Sequence, residues 1–189
     1  SWWLKGVELD PRLPFCHSNL GAALANTGKK EEARACYRKA LELDPANPIA
    51  LVNLSNQLHD SGAADESLIY ARKAVELSPM WAKTHFVLAN ALASTKQSKE
   101  AIASYRSAIE LNPTFAGAHH NLGVELRQCG RAREAVEHYK KAVEFDPSSA
   151  DFHCDFGHIL QETEGPSDTT FACFKKAVEL EPNHFCSNY

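Results

Sequence analysis

The sequence predicts an all-α protein in which helical hairpins stack side by side, and three observations carry that prediction. The first is an eight-residue phrase written six times: LKGVELDP, RKALELDP, RKAVELSP, RSAIELNP, KKAVEFDP and KKAVELEP. The second is its spacing. The closing prolines stand at 11, 45, 79, 113 and 147, each 34 residues after the last, and then at 182, one residue later than the period asks. A fixed period of this size marks a stacked repeat, because one hairpin cannot cover its own apolar face and needs a neighbour. The third is that each period holds two segments with helical spacing. In residues 116–147, Leu122 and Leu126 share one face, and Ala135, Val136, Tyr139, Ala142 and Val143 share another.

Residues 1–13 match only the second helix of a repeat, with Trp3 where Tyr37 stands one repeat later. Full repeats occupy 14–47, 48–81, 82–115, 116–149 and 150–184, and 185–189 resemble the opening of one more. Proline ends the second helix of each because it has no N–H and its ring clashes with the preceding turn. Between the two helices of the fourth repeat lies Gly130, suited to the left-handed backbone that ends a helix. The third repeat turns at Ser94-Thr95-Lys96-Gln97 without glycine, at a cost of about 1 kcal/mol if one of these is left-handed. In the second repeat Ser55, Ser67 and Ala71 depart from the pattern. Ala71 in a tyrosine's place should leave space for Tyr70 or Leu68. The fifth repeat has one extra residue in Glu164-Gly165-Pro166-Ser167, so its turn should be irregular. Both ends are cut within the pattern. The chain is therefore expected to be a segment of a longer array, with apolar end faces under Trp2, Trp3 and Phe185 that stack end to end on other copies.

The recurring signature is Leu-Gly, a Gly turn, then Ala, Tyr, Ala and Pro. The first full repeat reads Leu20, Gly21, Gly28, Ala33, Tyr37, Ala40, Pro45, and the third reads Leu88, Ala89, Ala101, Tyr105, Ala108, Pro113. This resembles the tetratricopeptide repeat (TPR), over essentially the whole chain. The resemblance implies a right-handed α-α superhelix, a TPR solenoid of five full helical hairpins plus partial repeats at both ends. Segments such as EAIASYRSAIELNPTFAGAHHNLG are similar to the repeat region of O-linked N-acetylglucosamine transferases.

Composition narrows the function. Of 189 residues, 44% are hydrophobic and 23% charged, which fits an ordinary folded domain and not a disordered one. The formal charge of −4 argues against a nucleic-acid partner. No apolar run reaches the roughly 18 residues of a membrane helix, so no membrane insertion is expected. Six irregularly spaced cysteines without a CxxC pair suggest reduced thiols in a cytoplasmic or nuclear protein. A sequon at Asn53 points the other way, to a secretory lumen.

Catalytic motifs are lacking: there is no glycine-rich phosphate loop and no HExxH. His17, His85, His119 and His153 recur at one place in their repeats, which reads as packing. Asp151, Cys154, Asp155 and His158 share a helix face, and Cys with His is a transition-metal combination. One helix rarely supplies a whole site, so the cluster reads as a polar binding patch. The expectation is no metal, no cofactor and no enzyme in this segment.

The resemblance implies that the first helix of each repeat lines a concave groove. Its residues by alignment include Phe15, Ser18, Asn19 and Asn26; Val52, Asn53, Asn56, His59 and Asp60; Lys83, Phe86, Val87, Asn90 and Ser94; His120, Asn121, Val124, Arg127 and Gln128; and Asp151, Cys154, Asp155, His158 and Glu162. Asn19, Asn53 and Asn121 hold one place, similar to an asparagine ladder that grips an extended peptide backbone, since an amide both donates and accepts. The ladder is broken by Val87 and Asp155. The basic clamp that some arrays use for acidic tails is incomplete, because only Lys83 fits and Val87 stands where an arginine is needed. The expected role is a protein-interaction scaffold for a neutral to basic peptide or partner segment. The alternative is the substrate-recognition arm of a larger enzyme such as a glycosyltransferase.

Overall fold

The computed structural model describes residues 10–182. The flanking positions, with Trp2, Trp3, Phe185, Cys186 and the partial terminal repeats apart from residues 10–13, lie outside the described residues. Ten helices make up the described chain, and it has no strand: α1 (Pro14–Asn26), α2 (Lys30–Leu43), α3 (Pro48–Asp60), α4 (Ala64–Leu77), α5 (Ala82–Ser94), α6 (Ser98–Leu111), α7 (Ala116–Gln128), α8 (Ala132–Phe145), α9 (Ala150–Thr163) and α10 (Asp168–Leu180). The all-α prediction holds, and each repeat supplies two helices. The chain divides into two compact units, the first ending at Gln97 and the second starting at Ser98.

In the first unit α1 packs on α2, α2 on α3, α3 on α4, and α5 on both α3 and α4. Two apolar clusters hold these helices. Ala33, Tyr37, Leu54 and Leu58 form one; Leu51, Val52, Ala71, Ala74, Val87 and Ala91 form the other. Tyr70 packs against both, and Leu68 packs against the second, which contains Ala71. The two serines of this repeat are a matched pair. Ser55 and Ser67 are fully buried, with their Oγ atoms 3.0 Å apart. Each hydroxyl also bonds the other's carbonyl, at 3.1 and 2.8 Å. The neighbouring repeat solves the same crossing with Gly21 against Tyr37: a Cβ on Gly21 would lie 2.7 Å from the ring. Bulk from the second helix has been exchanged for two hydroxyls.

The second unit packs α6 on α7, α7 on α8, α8 on α9 and α9 on α10. Gly123 faces the Tyr139 ring and Gly157 faces Phe174. The inserted residue of the fifth repeat is absorbed by lengthening α9 to 14 residues and by an irregular turn with Gly165 at φ 85°. Caps start the helices where the sequence provides them. Asn47 accepts from the Ala50 N–H at 3.0 Å, Ser149 from Phe152 at 3.3 Å and Ser167 from Thr170 at 3.2 Å.

The recurrent histidines have one structural task. His17, His85, His119 and His153 each set Nε2 against the carbonyl of the proline six residues earlier, at 2.9, 2.8, 3.0 and 3.1 Å. A carbonyl only accepts, so Nε2–H is the donor. The bond fastens the opening of four of the five first helices to the proline that ended the previous repeat; α3 has Leu51 at this place.

Four cysteines, Cys16, Cys36, Cys129 and Cys173, are free thiols, whereas Cys154 is disulfide-bonded. The expectation of six reduced thiols therefore fails at Cys154. Spacing along the chain could not show it, because bridging depends on approach in space.

Candidate functional site

The alignment gathers polar residues on the first helices, and each unit gathers its own set. In the first unit α1, α3 and α5 surround a hollow of about 450 Å³, whose wall includes Asn26, Asn53, Asn56, Gln57, His59, Asp60, Phe86 and Asn90. Seven of the predicted groove residues, Asn26, Asn53, Asn56, His59, Asp60, Phe86 and Asn90, therefore come together. Gln57 is a fifth amide that the one-face pattern missed. Its Oε1 is buried with no hydrogen-bond partner, as is Nδ2 of Asn19. An unmatched buried amide oxygen costs about 1–3 kcal/mol. Asn56 and Gln57 are adjacent on a helix and point about 100° apart, which is why a one-face rule selects only the first. Across the rim, Ser94 Oγ and His59 Nδ1 hydrogen-bond at 3.0 Å, joining α5 to α3.

The second unit presents a different surface. His120 Nε2 lies 2.7 Å from Asp155 Oδ2, and its Nδ1 lies 3.1 Å from Asn121 Oδ1. The His120 ring stacks on Phe152 at 4.6 Å and meets Tyr139 edge-on at 5.6 Å. Asn121 also bonds the hydroxyl of Tyr105, whose pKa burial pushes well above the usual phenol value. Asn121 is thus part of the packing between α6 and α7. Two turns along α7 from His120, Arg127 Nε donates to Glu162 Oε2 at 2.7 Å. Beside this pair a hollow of about 370 Å³ is walled by Val124, Tyr139 and Asp155 among others. Arg127 and Glu162 in its wall are paired with each other, and Asp155 is hydrogen-bonded by His120.

The remaining predicted positions scatter. Asp151 is exposed at the start of α9. His158 turns edge-on to Phe174 at 5.0 Å, inside the α9–α10 hairpin. Ser18, Val52, Val87 and Cys154 belong to the groove by alignment but are buried in the packing. The first-helix stripe that faces solvent is narrower than the alignment draws it, because residues at its edge rotate into the neighbouring hairpin. The Asp151, Cys154, Asp155 and His158 cluster does not converge. Among the described residues no group of three or more His, Cys, Asp or Glu is placed to hold a metal. No described helix is long and apolar enough to cross a membrane.

Comparison with known proteins agrees with this architecture. A tetratricopeptide-repeat family model matches residues 14–47, and a TPR-repeat model matches 89–124 and 125–163, together more than half of the chain. No curated protein matches the chain. Among solved structures, the MamA protein is 27% identical with a TM-score of 0.68, over 89% of this chain and 92% of that one. YrrB, a TPR protein with an unusual peptide-binding site, is 24% identical with a TM-score of 0.67, over 100% and 96%. TTC0263 of Thermus thermophilus, a thermophilic TPR protein, is 20% identical with a TM-score of 0.78, over 90% and 92%. The last two share the fold with this chain. With its period, its paired helices and these matches in agreement, the chain belongs to the tetratricopeptide-repeat family.

Proposed function

We propose that this chain is a non-catalytic protein-interaction scaffold, and that its first unit holds an extended, uncharged segment of a partner protein. The observation that carries the reading is the hollow of α1, α3 and α5, into which Asn26, Asn53, Asn56, Gln57 and Asn90 bring five amides beside His59 and Asp60. Amides suit a peptide backbone because each offers a donor and an acceptor, so they grip the main chain with little regard to side chains. Phe86 on the same wall gives one apolar residue of the partner a place to pack. YrrB, which shares this fold, has a peptide-binding site, and that supports the assignment. The test is selection of binders from a displayed random peptide library, followed by titration calorimetry. At about 1 kcal/mol per hydrogen bond, Asn53→Ala with Asn56→Ala should weaken a selected peptide roughly 30-fold. Unchanged affinity in the double variant, or a library that yields no binder, would remove the reading.

A further inference from the structure

His119 on α7 and His138 on α8 meet inside a hairpin of the second unit. Their Nδ1 atoms are 3.1 Å apart and their rings stack with centroids at 5.4 Å. The Pro113 carbonyl, 3.0 Å from His119 Nε2, fixes the hydrogen on that nitrogen. In the neutral ring, His119 Nδ1 is then an acceptor, so the shared hydrogen belongs to His138. The wiring runs one way, from His138 to His119 to Pro113, and a neutral pair satisfies every bond in it.

Protonation puts a charge on this buried arrangement or forces it to rewire. A hydrogen on His119 Nδ1 would face the N–H of His138, and the link survives only if His138 moves its hydrogen to Nε2. A proton on His138 would place a cation beside Lys141 of α8 and Arg106 of α6. Glu134, the carboxylate one turn before His138, is already bonded by Arg106 and Arg131. Lys141 also faces His119, and Phe145 closes over that ring at 5.5 Å. His119 is only 1% exposed. Burial is the first cause that lowers both pKa values, with His138 pushed down to about 4. Two repeats earlier the same two positions hold Leu51 and Tyr70, packed together without a titrating imidazole.

We propose that His119 and His138 form an acid-sensitive latch between α7 and α8. Neutral, it locks the hairpin; on acidification it frees α7, which carries His120, Asn121 and Arg127. The sign follows from linkage. An unfolded histidine ionises near pH 6.5, and the folded pair stays neutral below that. The opened state therefore binds more protons as the pH falls through 6.5, and stability is lost from there toward pH 4.

The test is amide hydrogen exchange and denaturant unfolding of the whole chain between pH 7.5 and 5. The opening constant of α7 and α8 should rise about tenfold per pH unit for each histidine kept neutral. His119→Leu with His138→Tyr imports a pair the fold already uses and should flatten that slope. His138→Gln keeps an N–H donor, removes one titrating group and should roughly halve it. A flat wild-type profile overturns the latch, and so does a wild-type slope retained in either variant. None of these readouts involves a peptide, so the latch stands or falls apart from the binding proposal.

Discussion

Lys96 has a φ of 60°, in the left-handed region, at the turn between α5 and α6. The equivalent turns use Gly28, Gly62 and Gly130. Lysine carries a Cβ that crowds its own carbonyl there, so Lys96→Gly should raise stability by up to about 1 kcal/mol, offset in part by the extra freedom of glycine in the unfolded chain. Urea unfolding would measure it, and a lower midpoint in the glycine variant would contradict the strain. The sequence shows this site because a repeat exposes the residue that breaks its rule. Gln57 is not visible in the same way. What distinguishes it is a buried Oε1 with no hydrogen-bond partner, and that depends on what the neighbouring helices fail to bring there. The disulfide state of Cys154 is hidden for a related reason, since no motif surrounds it.

Hairpin packing sets the next scale, where close approach is tuned repeat by repeat. An added Cβ would lie 2.7 Å from the Tyr37 ring at Gly21 and 2.6 Å from the Phe174 ring at Gly157, but 3.1 Å from Tyr139 at Gly123. Alanine gains about 1 kcal/mol over glycine in helix propensity, so the contacts decide the sign. Gly21→Ala and Gly157→Ala should destabilise by about 1–3 kcal/mol through overpacking, while Gly123→Ala should fall within about 1 kcal/mol of neutral. Thermal unfolding of the three variants checks the order, and equal effects would reject it. Small residues at these crossings are legible from the family pattern. The Ser55–Ser67 pair is legible only as a departure, because its four bonding atoms come from two helices whose approach no periodicity describes.

Across the molecule the hydrogen bonds follow the repeat. His59 with Ser94, His120 with Asp155 and Arg127 with Glu162 are all separated by 35 residues, and Arg38 with Glu66 and Arg106 with Glu134 by 28. One register links first helices to each other, and the other links a second helix to the next. Given the period, these partners can be paired from the sequence; reading each helix as a separate stripe leaves them as loose charges. That pairing changes the expectation for a ligand. As an acidic stretch, Asp155 and Glu162 would favour a basic partner, but Glu162 is paired with Arg127, Asp155 is hydrogen-bonded by His120, and the amide hollow lies in the other unit. Asp155→Lys should therefore leave the affinity of a library-selected peptide within about twofold, and raising the salt from about 50 to about 500 mM should change it little, because exposed charges contribute weakly and are screened. The same substitution sets a cation against His120, so it should destabilise α7 and α9 measurably in hydrogen exchange. Calorimetry across the salt series separates the outcomes. A steep salt dependence that Asp155→Lys reduces would move the binding site to the second unit.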